Sequence, residues 1–112
     1  MPQGTPVTPT NDLATPLFIA QGALAAGTDR SGSIATGGTA QQLAAANASR
    51  ISLEGQNISS GDLWINEIGG TAAADTAGSY KVVANSTFSI STNRAISIVG
   101  ATTGQKFTAT EK

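Results

Sequence analysis

The residue types that most often carry catalysis are scarce in this sequence. The chain contains no histidine and no cysteine, which removes the commonest general base, the thiol nucleophile and the usual zinc ligands. Two carboxylates, Asp62 and Glu67, flank one apolar segment. Their odd spacing places them on opposite faces of a strand, so they cannot form a simple acid–base pair. We therefore predict no catalytic residues, no enzyme activity and no cofactor.

A third carboxylate, Asp75, lies in a stretch of small residues that reads GGTAAADTAGS over residues 69–79. Such a stretch has no large side chain to bury, which predicts a surface loop. A calcium ion needs several oxygen ligands, and none cluster around Asp75 in the sequence. We therefore predict no metal site.

Charged side chains are few and scattered. Only 12% of the 112 residues are charged and the formal net charge is −1, whereas soluble domains usually carry about 25% charged residues. The six lysines and arginines occur singly, so no basic stripe could follow a phosphate backbone, and we exclude nucleic acid as a partner. The sequence shows neither a secretory signal nor an apolar run long enough to span a bilayer. We expect synthesis in the cytoplasm and no membrane partner.

Large aromatic side chains are also few, and one of them has two possible roles. Trp64 stands between Leu63 and Ile65 in a predicted strand, and neighbouring strand residues point to opposite faces, so the three cannot share one face. Trp64 is therefore either a core residue or an interface anchor. Phe88 and Phe107 are likewise either core residues or interface anchors. A core with so few aromatic residues is thin, which favours association with copies of the chain or with a larger scaffold.

Beyond Gly27 the sequence alternates short β-type runs with clusters of Gly, Asn and Ser, at intervals of about ten residues. This pattern is typical of an all-β protein with an antiparallel sandwich. The predicted strands are residues 33–36, 39–44, 50–54, 62–68, 80–84, 87–91, 95–99 and 106–110. Within residues 50–54, Ile51 and Leu53 alternate with polar residues, which predicts that both face the core. Residues 43–48 favour helix by propensity but are too few to hold one alone, so we predict a turn or one helical loop there.

Residues 1–30 are predicted to form an extended N-terminal arm and residues 31–112 a single β-sandwich domain. All four prolines of the chain lie within residues 1–16. Proline fixes φ and removes a backbone donor, so this segment favours an extended chain that becomes ordered against a partner. A frayed terminus without a role is the alternative.

A short apolar patch, which we define as Leu17, Phe18 and Ile19, follows the last proline. The sequence leaves open whether this apolar patch packs against its own domain or against a neighbour. The candidate contacts with the capsid or another partner are Pro6, Pro9, Pro16, Leu17, Phe18 and Ile19.

Three segments between residues 32 and 112 resemble small virion proteins of tailed bacteriophages, of the capsid decoration (cement) or head-fibre type. They are a GGTAQ turn at residues 37–41, the segment QNISSGDLWIN at residues 56–66, and the ending GATTGQKFTATE at residues 100–111. The resemblance does not extend to the first thirty residues.

This resemblance implies a jelly-roll-like antiparallel sandwich on the outside of an assembled phage head. It implies a dimer or trimer on a local symmetry axis that binds neighbouring major capsid subunits. The alternative within the same group is a fibre- or tail-associated adaptor or host-contact module. The expected location is the capsid exterior of a virion assembled in a bacterial cell.

Overall fold

The computed structural model of this protein describes residues 27–112. The candidate contact residues of the arm, from Pro6 to Ile19, lie outside the described residues. Across residues 27–112 the structure consists of strands and connections and contains no helix, so the prediction of an all-β fold is confirmed.

Nine short strands follow one another along the described part of the chain. They are β1 Thr28–Asp29, β2 Gly32–Ser33, β3 Gln41–Ala44, β4 Leu53–Asn57, β5 Leu63–Asn66, β6 Ser79–Val82, β7 Thr87–Ile90, β8 Ile96–Gly100 and β9 Lys106–Glu111.

The strands form two antiparallel sheets. The first sheet has the order β1/β2–β9–β4–β7, and the second sheet has the order β3–β8–β5–β6. Both β1 and β2 pair with β9 in one continuous register, Asp29 opposite Thr110 and Ser33 opposite Lys106. They therefore act as a single interrupted strand. The eight strands that result are ordered as in a jelly roll, with two Greek keys folded over a common core.

The first strand is interrupted where a side chain takes part in the backbone ladder. The Ala109 N–H donates to the Ser31 hydroxyl over 3.0 Å, and this hydroxyl also bonds the Thr108 hydroxyl over 3.0 Å. Pairing already begins at Thr28. The sheet therefore starts three residues before the boundary that the sequence placed at residue 31.

The core lies between the two sheets and is almost entirely aliphatic. Among residues 27–112, Phe107 is its only aromatic member, at 4% exposure, and Phe88 packs partly buried against it. The other core residues are Ile34, Leu43, Ala44, Leu53, Leu63, Ile65, Val82, Ile90, Ile96, Ile98 and Ala109.

Ile51 does not face the core, so the prediction for this residue is wrong. Strand β4 begins only at Leu53, and the Ile51 side chain is 71% exposed. Its neighbour Arg50 takes the inward position, with no exposed side-chain surface, because a buried carboxylate lies there to receive it. Leu43 and Ala44 lie in β3, within the predicted strand 39–44, and residues 45–48 form a connection that is neither helix nor strand.

Candidate protein-binding surface

A fully buried amide organises the segment QNISSGDLWIN. The Asn57 side chain is 0% exposed, and its amide nitrogen donates to the carbonyl oxygens of Gly61 and Val82, each over 2.8 Å. Its side-chain oxygen accepts from the Ser59 N–H over 2.9 Å and from the Ser59 hydroxyl over 2.7 Å. Asn57 therefore holds the connection between β4 and β5 and ties it to β6. A buried amide left without such partners would destabilise the fold.

Amide side chains play the same part in the other two segments of the resemblance. Gln41 of GGTAQ donates to the Ser33 carbonyl over 2.9 Å and accepts from the Ala35 N–H over 2.8 Å. Gln105 of GATTGQ donates to the Asp62 carbonyl over 3.0 Å and accepts from the Thr102 N–H over 2.9 Å. These side chains therefore bond backbone groups of the turns and hold them in place.

A buried ion cluster closes one end of the sandwich, and the sequence analysis missed it. The Glu111 carboxylate, at 4% exposure, lies 2.7 Å from Arg30 Nη2 and 2.7 Å from Arg50 Nε. Arg50 also donates to the backbone carbonyls of Thr92 and Arg94, each over 2.8 Å, and to that of Ala45. In the sequence Arg50 and Glu111 stand 61 residues apart, so no local pattern joins them.

The pKa of Glu111 reflects two opposed effects. Burial by itself raises the pKa of this carboxyl, but the hydrogen bonds from Arg30, Arg50 and Asn47 outweigh burial and hold it below its ordinary value of 4.5. The carboxylate is therefore ionised at neutral pH. Because its partners are hydrogen-bonded arginines and an amide, the cluster stabilises one end of the fold and offers no proton donor for chemistry.

Trp64 lies on the outer face of the second sheet. Its neighbours Leu63 and Ile65 are 0% and 2% exposed on the core face, whereas Trp64 points the other way and is partly buried. It pairs with Val99 on β8 and with Lys81 on β6. The structure thus separates the three residues as the strand period requires and places Trp64 outside the core.

The loop between β5 and β6, residues 67–78, covers part of this outer face. Ala72 is 3% exposed, and its N–H donates to the Ser97 hydroxyl over 2.9 Å. The Ala73 N–H donates to the Ser79 hydroxyl over 3.1 Å. The predicted loop is confirmed, and its small side chains allow its backbone to lie close against the sheet.

One side of the Trp64 ring is bounded by an ion pair. Lys81 Nζ lies 5.9 Å from the centre of the ring and 3.5 Å from Asp62 Oδ2. Both charged side chains are about half exposed, at 49% and 46%, so the pair adds little to stability. Its effect is to orient a cation over the ring and a carboxylate beside it.

These residues line an open groove of about 510 Å³. We define the Trp64 groove by Asp62, Trp64, Ala73, Asp75, Lys81 and Val99, with the turn at residues 100–102 as its far wall. The groove combines apolar walls with a few charged groups at its rim. This composition suits the docking of a polypeptide segment, in which an aromatic anchor is buried and polar groups fix orientation.

The structure brings together only some of the residues considered from the sequence. Asp62 and Asp75 both line the Trp64 groove, whereas Phe107 lies in the core and Phe88 at the edge of the first sheet. Within residues 27–112, no three acidic side chains approach closely enough to hold a metal ion. The same residues include no helix long and apolar enough to cross a membrane.

Comparison of the chain with protein-family models, with curated proteins and with solved structures found no match.

Proposed function

We propose that this chain is a structural protein of a tailed-phage virion that binds the outer surface of the major capsid subunits and stabilises the head. The observation that carries the proposal is the position of Trp64. The chain has one tryptophan, and this residue lies in an open groove on the outer face of a sheet while aliphatic residues form the core. Tryptophan is enriched among the residues that dominate binding energy at protein interfaces.

The remaining surface supports weak contacts repeated over many copies. The groove has a polar rim, and only 12% of the residues in the chain are charged, so each contact would be modest in energy. Weak contacts hold firmly when they are multiplied in a symmetric dimer or trimer, because each later contact forms at a high effective concentration. In this proposal the chain acts by binding, without catalysis, on the capsid exterior.

The N-terminal arm provides a second contact in the same proposal. Residues 1–16 contain Pro6, Pro9 and Pro16, and an extended proline-containing segment can lie along a groove or sheet edge of a neighbouring protein. An arm and a groove on one small domain would let it join two capsid subunits.

The test is co-sedimentation of the purified full chain with undecorated heads of its own phage, quantified as copies bound per major capsid subunit. We expect saturation at a fixed, symmetry-related ratio. Trp64→Ala should weaken binding at least tenfold, whereas Ile51→Ala, which removes an exposed apolar side chain outside the groove, should leave it unchanged. Absence of saturable binding, or equal binding by both variants, would contradict the proposal.

A second candidate function is a fibre- or tail-associated host-contact module. The observation that favours it is the same groove, because an accessible indole beside the Asp62 carboxylate also suits a sugar ring, and jelly rolls occur in lectins. The fluorescence of the single tryptophan gives a direct test. Saturable changes on titration with host surface glycans, together with only a few copies per virion, would favour this candidate over capsid decoration.

A further inference from the structure

A second groove lies along one lateral edge of the sandwich. Strand β6 is the last strand of the second sheet and β7 the last strand of the first, and among the described strands each pairs on one side only. Between them is an opening of about 370 Å³. We define the β6–β7 seam by Ile65, Tyr80, Val82, Phe88 and Ile90, which line this opening.

The seam leaves core-facing aromatic residues incompletely covered. Tyr80 is paired with the buried Ile65, so it lies on the core-facing side of β6, yet it is 62% exposed. Phe88 is paired with Gly55, and its ring lies so close over that glycine that a Cβ there would be 2.4 Å from Phe88 Cζ. The two aromatic side chains therefore flank an opening that leads to Val82 and Ile90. This opening is also lined by Glu67, Lys81, Thr87 and Ser89.

The opposite lateral edge of the sandwich is closed. There Gln41 of β3 bonds both the Ser33 carbonyl and the Ala35 N–H, which joins the edges of the two sheets. At the β6–β7 edge, the Asn57 amide bonds the Val82 carbonyl and residues 83–86 join the two strands, and both links lie at one end of the seam. Along the rest of the seam, the opening of about 370 Å³ is not filled by the described residues.

We propose that residues 17–20 of the same chain, the apolar patch and Ala20, occupy the β6–β7 seam as an additional strand. Leu17, Phe18 and Ile19 are the largest consecutive apolar side chains in residues 1–26. Inserted here as a strand, Leu17 and Ile19 would face the opening and cover Tyr80 and Phe88, while Phe18 would point to the opposite face. The backbone of the segment would pair with the free edge of β6. The segment is apolar, and a short stretch of chain, the tether, connects it to β1.

The tether is long enough for the segment to reach its own seam. Across the first sheet, Thr28 is in register with Glu111, Glu111 with Leu53, and Leu53 with Ile90. Three strand spacings therefore separate Thr28 from the end of the seam, a distance of about 14 Å. The seven Cα–Cα steps from Ala20 to Gly27 span up to about 23 Å when extended, which leaves slack to pass around the loops at that end.

The path also sets the direction of the added strand. Ser79 and Ile90 lie at the end of the seam that the tether reaches, because residues 83–86 join β6 to β7 at the other end. The chain from Leu17 to Ala20 would then run towards Ser79 and antiparallel to β6, with Ile19 beside Tyr80. A short tether gives such a docking a high effective concentration, which favours it over capture of a separate protein.

Introduced cysteines test this docking in the purified full chain, since the native sequence contains none. The test pair is Ile19→Cys with Tyr80→Cys. The matched control is Ile19→Cys with Ser60→Cys, because Ser60 is also exposed but lies in the β4–β5 connection, away from the residues that line the seam. We expect the test pair to form a disulfide within one chain at least ten times faster than the control pair under mild oxidation.

The oxidation products of the two cysteine pairs show whether the apolar patch occupies the β6–β7 seam of its own chain. Equal oxidation rates in the two pairs would overturn it. Disulfide-linked dimers formed by the test pair at low protein concentration would also overturn it, because they would place the apolar patch in the seam of a second copy. As a second readout, Ile19→Asp should lower Tm by at least about 4 °C, whereas Thr8→Asp, a charge added in the proline-rich part of the arm, should not. The test needs no phage head, so its result is independent of the proposed function.

Discussion

Glu111 and Arg50 show how a weakly charged protein uses its few charges. The Arg50 side chain is fully buried, and its charge is balanced by the Glu111 carboxylate at 2.7 Å. Removing one member of a buried, hydrogen-bonded pair leaves the other charge without compensation, which costs about 3–5 kcal/mol. Glu54 and Lys112, 3.3 Å apart and about half exposed, form a surface pair for comparison.

The first prediction concerns pH. Because the pKa of Glu111 is lower in the folded chain than in the unfolded chain, its stabilisation is present above its ordinary value of 4.5 and is lost as the pH falls through the lowered pKa. Glu111→Gln should lower the free energy of unfolding at pH 7 by about 3–5 kcal/mol. Urea unfolding at pH 7 and pH 3 should show this difference shrinking at pH 3.

The matched control for this prediction is Glu54→Gln, which makes the same substitution in the exposed pair and should cost less than about 1 kcal/mol at either pH. An equal loss in both variants, or a loss from Glu111→Gln that does not change with pH, would contradict the prediction.

The second prediction uses two adjacent residues on opposite faces of β5. Leu63→Ala should lower the free energy of unfolding by about 2–5 kcal/mol because it empties a fully buried site. Trp64→Ala should cost less than about 2 kcal/mol, since the ring packs on the outer face and is only partly buried. Denaturant unfolding of the two variants tests this order. A larger loss for Trp64→Ala would mean that the ring is needed mainly for folding.

At the scale of elements, connections in this fold are held by side chains. The β4–β5 connection depends on Asn57, the β8–β9 turn on Gln105, and the first strand on the Ser31 hydroxyl. Strands of two to six residues make few ladder bonds of their own. Side-chain bonds to the backbone therefore stabilise the ends of these strands and fix where each chain reversal occurs.

The third prediction follows from Asn57. Asn57→Ala leaves the Val82 carbonyl and the Ser59 N–H without the side chain that bonds them, whereas the Gly61 carbonyl still accepts from the Ser59 hydroxyl. A buried polar group left without a hydrogen-bond partner costs about 1–3 kcal/mol. Because more than one group loses its partner, the free energy of unfolding should fall by at least about 2 kcal/mol. Thermal unfolding should show a much lower Tm than for Ser60→Ala, which trims an exposed side chain of the same turn. Similar Tm values would contradict the structural role of this amide.

At the scale of the whole molecule, the described domain and the preceding 26 residues have different expected roles. The fourth prediction separates them by two truncations. Removal of residues 1–16 should weaken binding to phage heads and leave Tm unchanged, because the sandwich and the apolar patch both remain. Removal of residues 1–20 should in addition lower Tm, since it deletes the segment proposed for the β6–β7 seam.

Binding assays on heads and thermal unfolding of both truncated proteins supply the measurements. Normal head binding after removal of residues 1–16 would eliminate the arm as a capsid contact. An unchanged Tm after removal of residues 1–20 would contradict the docking of the apolar patch.

Local patterns in the sequence predicted much of the fold. Most strands follow from short apolar alternations bounded by Gly, Asn and Ser, as in residues 106–110, where Phe107 and Ala109 are buried between exposed neighbours. The prediction from alternation was wrong at Ile51, because Arg50 faces inward to pair with Glu111 and β4 begins only at Leu53. A pattern of period two distinguishes the two faces of one strand. It contains no information about which residues of the opposite sheet pack against that strand.

The sequence by itself determined an all-β chain, the separate faces of Leu63 and Trp64, and a surface chemistry without histidine or cysteine. These properties depend on residue type and on the two-residue period of a strand. Only the tertiary structure decided that Trp64 faces outward into a groove, that Glu111 joins two arginines, and that residues 27–112 leave one edge of the sandwich uncovered. These features depend on contacts between residues distant in sequence, which form only when the two sheets pack.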